Sequence, residues 1–460
     1  MTKKEHTRKI SALKYVLPAA LLLAAVLLAA YIAYARSFAS PVPEPLTQEQ
    51  ADSFAAAMAE RYPEHILSAL PYPVIPAELD LHCGAAIMID AASGSVLYEK
   101  NADEVIPPAS MTKLVVMYVV LQEIAKGNIS LSDIVPLPPE SWAVNAPPLS
   151  SLMFLGQGET VTLDELLLGL AVASGNDAAV AVAHYVSGSV EAFCARMNEE
   201  MHKLGLQHTR FVEPSGYSEH NLTTPREFAA FAKVYIERYP QALEKYHSAR
   251  SIAYPQPHNL APWADPEKNR PVVQYNTNKA LDNIPGCDGL KTGFIYESAY
   301  NLAYTVKRGD TRFIAVIMQG EGTGSAEGNY YRVLNSQTLT DWGYATFATR
   351  AADDIAPHAV PVFGGTEQAL CLVPAYNRAL TVPALIPDKT PEQAAQSVQV
   401  ETRIDAPVTA PVAAGTAYGA RVYSLNGVTL EEIPLVADRS VAAGSFAKRL
   451  IDTVIQAQYE

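Results

Sequence analysis

A long uncharged apolar segment close to the N-terminus constrains this chain more than any other feature of its sequence. Residues 15–35 contain no charged side chain, and at ~1.5 Å per residue about 21 residues suffice to cross a bilayer as a helix. Five basic side chains precede the segment and Arg36 alone follows it closely, which favours an N-terminus held in the cytoplasm. The remainder of the chain is therefore expected on the extracytoplasmic side.

Two fates of this segment stay open. A cleavable signal peptide usually has an apolar core of roughly 7–15 residues, so the greater length here favours an uncleaved anchor. Against that, Ala33-Tyr34-Ala35 is a small-x-small triplet of the kind that is cleaved after export. Both fates place the rest of the chain outside the cytoplasm.

Charge and length limit the possible functions and the domain count. The formal net charge is -14 over 460 residues, so an exported body has no electrostatic basis for binding nucleic acid, and no nucleic-acid partner is expected. A chain of this length predicts more than one domain. Composition and pattern indicate a cytoplasmic leader with the membrane anchor or signal (1–36), a proline-rich linker with a short helix (37–80), a catalytic domain (81–350), a β-sandwich-like domain (358–443) and an amphipathic helix (444–460).

The four cysteines give no sign of a metal or cofactor site. Cys83, Cys194, Cys287 and Cys371 stand singly along the chain, and no H-E-x-x-H motif occurs, so the spacings typical of zinc sites are missing from the sequence. No metal and no cofactor is therefore expected. Disulfide pairing stays open because an exported protein can oxidise its thiols, although buried apolar thiols are the simpler interpretation.

Hydrophobic periodicity predicts two groups of antiparallel strands and several helices. Alternation over 85–100 predicts a strand hairpin, and 288–319 predicts a meander of adjacent strands. Helical patterns fill the positions between and after these strands, and the first begins after two prolines and stops at Gly127, as helices commonly do. The helical patterns span roughly 107–127, 163–174, 178–186, 189–204 and 327–347.

Three short motifs lie on different elements of this pattern. Ser110-x-x-Lys113 opens the apolar helix, Ser174-x-Asn176 lies in the break between two helices, and Lys291-Thr-Gly293 lies on a strand. Singly they are weak, because S-x-x-K and S-x-N also occur elsewhere in the chain. Their order and placement together are typical of penicillin-binding proteins and class A β-lactamases.

The first motif supplies a nucleophile with a base. Residues three apart on a helix share a face, so Lys113 can reach the hydroxyl of Ser110, which needs a base to become a nucleophile. Lysine accepts a proton only when neutral, and both burial and Lys291 as a like charge should lower the pKa of Lys113. The backbone N–H of Ser110 at the helix N-terminus is suited to a developing oxyanion.

The other two motifs supply a proton relay and groups that bind substrate. Ser174 can pass the proton toward the leaving amine, and Asn176 can donate and accept hydrogen bonds with a substrate amide. Lys291 and Thr292 can bind a carboxylate. Gly293 lacks a Cβ, so a substrate backbone could lie alongside it as an added strand.

The sequence from about Ala85 to Phe347 resembles the low-molecular-weight penicillin-binding proteins, the serine-type D-alanyl-D-alanine carboxypeptidases. The likeness continues more loosely over the C-terminal β domain. It implies an α+β fold: a penicillin-binding or transpeptidase-like domain, with an antiparallel sheet flanked by helices, followed by a small all-β domain. Besides the three motifs, the stretches that carry it are 89–103, 173–193, 288–294 and 341–347.

The resemblance also implies a function. Such an enzyme removes the terminal D-alanine of peptidoglycan stem pentapeptides through an acyl-enzyme on Ser110, and β-lactam antibiotics bind covalently to the same serine. It would lie at the bacterial cytoplasmic membrane with its catalytic domain on the periplasmic side. The implied partners are therefore the stem peptide, β-lactams and the membrane.

Two further site residues come from the resemblance. The backbone N–H of Phe294, directly after K-T-G, would be the second oxyanion donor. Arg332, ten residues before Trp342, would help Lys291 and Thr292 to hold the terminal carboxylate of the substrate. Recognition of a free carboxylate would make the enzyme an exopeptidase.

Two departures from the family pattern keep alternatives open. Phe294 replaces the polar side chain that usually follows K-T-G, and Glu213 stands where relatives usually carry asparagine. Glu213 lies 39 residues after Ser174, in the region from which class A β-lactamases take their deacylating glutamate. A β-lactamase of related fold is therefore one alternative, with a surface-loop role for Glu213 as the plainer interpretation, and a catalytically silent cell-wall-binding protein is another.

The C-terminal segment has two possible settings. Its helical pattern places five apolar side chains on one face, which would suit either the membrane surface or packing on its own domain. These side chains are Phe446, Leu450, Ile451, Val454 and Ile455.

Overall fold

The computed structural model of the chain describes residues 3–63, 65–74, 76–405 and 407–457, with side chains from residue 16 onward. Its helices, numbered in chain order, are α1 (Lys3–Ala39), α2 (Gln48–Arg61), α3 (Thr112–Ala125), α4 (Leu163–Val172), α5 (Asn176–Ser187), α6 (Val190–Lys203), α7 (Pro225–Arg238), α8 (Ala280–Asn283), α9 (Ser325–Thr346), α10 (Pro391–Gln396) and α11 (Phe446–Gln456). Its strands are β1 (Ser68–Ala69), β2 (Cys83–Asp90), β3 (Ser95–Lys100), β4 (Ser251–Tyr254), β5 (Val272–Tyr275), β6 (Cys287–Ile295), β7 (Ala299–Arg308), β8 (Thr311–Gly320), β9 (Phe347–Arg350), β10 (His358–Phe363), β11 (Ala369–Pro374), β12 (Leu380–Pro383), β13 (Gln399–Ile404), β14 (Val408–Thr409), β15 (Ala417–Leu425) and β16 (Val428–Ala437).

The chain forms two compact units, and each is built from segments that are separated in the sequence. The larger unit comprises residues 65–351 and 378–397, and the smaller comprises 1–64, 352–377 and 398–460. Strand β12 and helix α10 fall in the part of the sequence expected to form the β-sandwich-like domain, yet they lie in the larger unit. There β12 pairs with β9, and the hydroxyl of Thr381 donates a hydrogen bond to the buried carboxylate of Asp90 at 2.8 Å.

A six-stranded sheet forms the centre of the larger unit. Its strand order is β1-β3-β2-β8-β7-β6, and the pairs β2–β3, β2–β8, β8–β7 and β7–β6 are antiparallel. The predicted hairpin and the predicted meander are both present in it. Strand β6, which carries Lys291-Thr-Gly293, lies at one edge, so one of its sides is open to a cleft.

The two faces of this sheet bury two separate cores, as the period of two along a strand requires. Along β2, Ala85, Ile87 and Ile89 join a core shared with α3, α4, α5, α6 and α7. The intervening Ala86 and Met88 join a second core with α8 and α9. The predicted flanking of an antiparallel sheet by helices is therefore confirmed.

Helix α3 is the central helix of the first core. Its residues from Thr112 to Leu121 are all buried, which explains why the sequence there is apolar on every face rather than along one stripe. A short 3-10 turn at Ala109–Met111 leads into the helix. The first turn of α3 therefore carries Lys113 into the interior of the larger unit.

The smaller unit contains the C-terminal β domain. Its six-stranded sheet has the order β13-β15-β16-β11-β10-β14, and its core includes Val362, Leu370, Leu372 and Leu435. The predicted all-β character of this region is confirmed. Three helices of the smaller unit, α1, α2 and α11, accompany the sheet.

Helix α11 packs only part of its apolar face against the smaller unit. Ile455 and Asp452 are buried against the smaller unit. The other apolar side chains are exposed, to 74% for Phe446, 60% for Leu450 and 57% for Val454. The buried face of this helix is therefore narrow, and most of its apolar surface is open.

The four cysteines form no disulfide among the described residues. All four thiols are free, and those of Cys83, Cys194 and Cys287 are buried, which agrees with the interpretation of apolar thiols. Within the described residues, α1 contains a stretch, Val16–Ala39, that is long and apolar enough to cross a membrane.

Candidate active site

The structure brings the three sequence motifs together at one cleft. Ser110, Ser174, Thr292 and Gly293 all line it, and so does Arg332. The cleft lies between the start of α3, the turn before α5 and the edge strand β6. Among the residues that the structure describes, the lining of this cleft includes no aspartate or glutamate.

Lys113 lies within proton-transfer distance of Ser110. Its Nζ is 3.0 Å from the Ser110 Oγ, 2.7 Å from the Asn176 Oδ1 and 2.5 Å from the backbone carbonyl of Ser215. A neutral amine has two hydrogens and one lone pair. With the hydrogens donated to the two carbonyl oxygens, the lone pair is left to accept the proton of the Ser110 hydroxyl.

Burial lowers the pKa of the Lys113 amine from 10.5 to about 7, and the carboxylates of Glu213 and Asp177 partly oppose this shift. The predicted lowering of this pKa by burial is thus present. The pKa of Lys291 also lies well below its ordinary value, because of burial first and then the nearby Lys113 and Arg332.

Ser174 offers a second hydroxyl to the cleft. It lies between α4 and α5 with a positive φ of 58°, a conformation that costs a non-glycine residue energy and is often found at functional sites. Its Oγ is buried and has no hydrogen-bond partner among the described residues. A substrate group or the leaving amine could therefore take this position as its partner.

Asn176 contacts the base directly. Its Oδ1 accepts a hydrogen bond from Lys113, which leaves the second lone pair of this oxygen and the amide nitrogen for a substrate amide. The side chain therefore orients the base, and its predicted contact with substrate stays a prediction.

Asp177 is a supporting residue that sequence reasoning missed. Its buried carboxylate accepts hydrogen bonds from the backbone N–H groups of Met153 at 2.8 Å, Phe154 at 2.8 Å and Leu155 at 3.0 Å. These bonds hold the segment that carries the cleft-lining Leu149 and Ser151. Its position directly after Ser174-Gly-Asn176 was a signal in the sequence. Hydrogen bonds to residues more than twenty positions away cannot be predicted from that position.

Gly293 has a structural reason for lacking a side chain that the sequence did not predict. A Cβ at this position would lie 2.4 Å from the carbonyl oxygen of Pro108 and 3.2 Å from the backbone nitrogen of Ser110. The missing side chain therefore admits the protein's own turn before α3, and the predicted contact with a substrate strand stays a prediction. This close approach sets the separation between Lys291-Thr-Gly293 and the nucleophile.

Arg332 lies where a carboxylate-binding cation is expected. Its guanidinium donates to the carbonyl oxygens of Gly293 at 2.5 Å and Asn301 at 3.1 Å and to the Asn329 Oδ1 at 2.9 Å, and it lies 5.0 Å from the centre of the Tyr300 ring. All of these partners are uncharged, and burial lowers the pKa of Arg332 to about 10. The guanidinium is thus held against β6 without a carboxylate partner among the described contacts.

Phe294 presents its side chain to the cleft mouth. The ring is 40% exposed and packs 4.5 Å from Tyr300 and 5.5 Å from Tyr296, measured between ring centres. Its side chain thus adds apolar surface in place of the polar group that was expected. The role of its backbone N–H stays a prediction.

Comparison with known protein families identifies the family of this chain. A family model described as "D-alanyl-D-alanine carboxypeptidase" matches residues 73–322, which is more than half of the chain. This chain belongs to the D-alanyl-D-alanine carboxypeptidase family. A second model, described as "Penicillin-binding protein 5, C-terminal domain", matches residues 344–443.

Individual carboxypeptidases and a related endopeptidase are similar to this chain. D-alanyl-D-alanine carboxypeptidase DacC of Escherichia coli is 32% identical over 380 residues, 81% of this chain and 87% of that protein. A D-alanyl-D-alanine endopeptidase of Pseudomonas aeruginosa is 29% identical over 273 residues, 58% of this chain and 82% of that protein. The structure of penicillin binding protein 5 from Haemophilus influenzae superposes with a TM-score of 0.66 at 27% identity, covering 80% of this chain and 100% of that one. The predicted family and the predicted class, a serine-type D-Ala-D-Ala carboxypeptidase, are confirmed.

A Gly293→Ala substitution tests the close approach of β6 to the nucleophile. The added Cβ cannot fit beside Pro108 and Ser110, so the strand must move away. Because a displacement of about 1 Å in an active site can cost ~10²-fold in rate, we expect acylation of Ser110 by a fluorescent penicillin to slow by about 10²-fold.

Gly309→Ala is the matched control. Gly309 lies in the turn between β7 and β8 of the same sheet, and a Cβ there meets no atom within 4 Å. Acylation should keep its rate in this variant. An unimpaired Gly293→Ala enzyme would show that the contact with Pro108 does not set the site geometry.

Proposed function

We propose that this carboxypeptidase removes the terminal D-alanine of peptidoglycan stem pentapeptides through an acyl-enzyme on Ser110. The observation that carries the proposal is the buried Lys113 amine, 3.0 Å from the Ser110 Oγ and hydrogen-bonded only to uncharged groups. Such an amine can be neutral near neutral pH and can therefore act as a general base.

Substrate binding begins with the free carboxylate of the peptide. Thr292 and Arg332 line the cleft, and Lys291 lies one residue before Thr292 on the same strand. Every hydrogen-bond partner described for Lys291 and Arg332 is uncharged. A terminal carboxylate would be the first anion beside these side chains and would favour their protonated forms, which suits cleavage at the end of a peptide.

Acylation follows from the position of the base. The Lys113 amine takes the proton of the Ser110 hydroxyl as its oxygen attacks the carbonyl between the two D-alanines. The backbone N–H groups of Ser110 and Phe294 would hold the oxyanion. Ser174, with its unpartnered hydroxyl at the cleft, would pass the proton to the amine of the leaving D-alanine.

Water completes the cycle. It attacks the ester on Ser110 once D-alanine has left, with Lys113 again accepting the proton. A β-lactam presents a strained amide next to a carboxylate, so it would acylate Ser110 through the same contacts. The β-lactamase alternative drew its support from Glu213, whose carboxylate is engaged by the backbone of its own loop and does not line the cleft.

Release of D-alanine from a pentapeptide ending in D-Ala-D-Ala tests the proposed reaction. Ser110→Ala should release none. Lys113→Arg should lose roughly 10²–10⁴-fold, the usual contribution of a general base, because arginine cannot become neutral. Chromatographic detection of free D-alanine measures both effects.

The same peptide with a C-terminal amide is the matched control substrate. It keeps the scissile bond and removes the charge that Lys291, Thr292 and Arg332 are proposed to bind, so its turnover should be much slower. D-alanine release by Ser110→Ala, or equal turnover of the amide, would contradict the proposed mechanism. Catalytic turnover of nitrocefin in place of a stoichiometric burst would favour a β-lactamase.

We propose that the catalytic domain is held at the outer face of the cytoplasmic membrane by an uncleaved α1. The last turns of this helix belong to the smaller unit. Phe38 is 1% exposed and stacks on Phe363 with ring centres 4.8 Å apart. The hydroxyl of Tyr34 donates a hydrogen bond to Asp452 of α11 at 2.7 Å.

Cleavage after Ala35 would remove part of this contact. Asp452 is fully buried and would lose the Tyr34 hydroxyl, leaving Lys448 and the backbone N–H of Gly364 as its partners. Loss of a partner by a buried carboxylate is destabilising. The exposed apolar side chains of α11 would lie against the same membrane surface.

The intact mass of the protein isolated from membranes tests this anchor. We expect the mass of a chain that still includes α1, and the same result for Ala33→Leu, in which the small-x-small triplet is removed at an exposed position. A wild-type chain that begins at Arg36, alongside an Ala33→Leu chain that keeps its N-terminus, would show that the segment is a signal peptide.

A further inference from the structure

The loop from Glu213 to Asn221 is organised by the carboxylate of Glu213. One oxygen, Oε2, accepts hydrogen bonds from the backbone N–H of Ser215 at 2.7 Å and from its hydroxyl at 2.6 Å. The other, Oε1, accepts from the backbone N–H groups of Gly216 at 2.7 Å and Ser218 at 3.3 Å and from the Asn221 side chain at 2.9 Å. Five donors therefore converge on one side chain.

Asn221 ties the same loop to the start of α3. Its fully buried side chain accepts from the backbone N–H of Val212 at 2.8 Å and donates to the carbonyl of Glu213 at 2.9 Å. It also donates to the hydroxyl of Thr112 at 3.3 Å. Thr112 is the neighbour of Lys113, so the loop and the catalytic helix are joined by side-chain contacts.

The backbone of this loop touches both members of the catalytic pair. The carbonyl of Ser215 accepts a hydrogen bond from the Lys113 Nζ at 2.5 Å. Gly216, with a φ of 79°, lies so close to the turn before α3 that a Cβ would fall 1.9 Å from the Ala109 oxygen and 2.8 Å from the Ser110 nitrogen. The fold of the loop therefore decides where the Lys113 amine points.

We propose that Glu213 is a positioning residue for the catalytic pair, holding the 213–221 loop so that the Ser215 carbonyl directs the Lys113 amine toward Ser110. This inference rests on the proposed function of Lys113 as base. It assigns Glu213 to the acylation step, in contrast to the deacylating role of the glutamate in class A β-lactamases. Both of its carboxylate oxygens are already engaged by loop donors, so neither is free to orient a hydrolytic water.

The charge of Glu213 has a second effect on the base. The charged groups that face Lys113 are the carboxylates of Glu213 and Asp177 and, on β6, the amine of Lys291. Burial lowers the pKa of Lys113, and the two carboxylates raise it. Removal of the Glu213 charge should lower this pKa further, so more of the amine would be neutral at acidic pH.

The pH dependence of Ser110 acylation by a fluorescent penicillin, together with the lifetime of the acyl-enzyme, tests the inference on the full-length protein. In Glu213→Gln the acid limb of the acylation rate should move to lower pH, and the plateau should fall several-fold as the Ser215 carbonyl shifts. Glu213→Asp keeps the charge, so its acid limb should stay at the wild-type pH. Glu219→Gln, an exposed change in the same loop, should match the wild-type enzyme in both measurements.

The outcomes separate a positioning role from the alternatives. An acid limb that stays in place while the acyl-enzyme lifetime grows would assign Glu213 to deacylation and overturn the inference, and so would no change in either measurement. Glu213→Asn, the residue that relatives usually carry, repeats the test with a second neutral side chain if thermal melting shows that the glutamine variant is unfolded. Wild-type protein that is not acylated at Ser110 would contradict the proposed function itself, which is a different result.

Discussion

A lysine amine serves as a base near neutral pH when its pKa is lowered, and burial at the first turn of α3 does this for Lys113. The helix is buried on all sides, so the amine cannot reach solvent. Its three partners are a hydroxyl and two carbonyl oxygens, which satisfy the amine without fixing a positive charge on it. The proposed chemistry of the cleft depends on this amine, which has no carboxylate among its described hydrogen-bond partners.

The charge of the cleft is opposite to that of the chain. The protein carries a net charge of -14, yet the described lining of the cleft contains Arg332 and Lys279 and no acidic residue. Keeping buried cations without counter-ions is costly. Under the proposed function, a substrate carboxylate would offset that cost on binding, which would favour the end of a peptide over its interior.

Local signals in the sequence predict more of the fold and of the candidate site than contacts between distant segments do. Ser110 and Lys113 follow from helix spacing, and the strand hairpin and meander follow from alternation, because these signals are local. Gly293 was predicted as a site residue, but its close approach to Pro108 was not predicted, since Pro108 is distant in sequence. Two further findings were not predicted for the same reason: the hydrogen bond from Lys113 to Asn176 and the placement of β12 in the larger unit. Each depends on which segments meet in three dimensions, and one sequence does not contain that information.

The charge state of Lys113 is open to direct measurement. The NMR chemical shift of a 13C label at its Cε, assigned by comparison with Lys113→Arg, can be followed as a function of pH in the folded protein. We predict a titration near pH 7, in line with the pKa of about 7 that burial gives this amine. A midpoint near the ordinary lysine value of about 10.4 would contradict it, because the amine would then be a cation during catalysis.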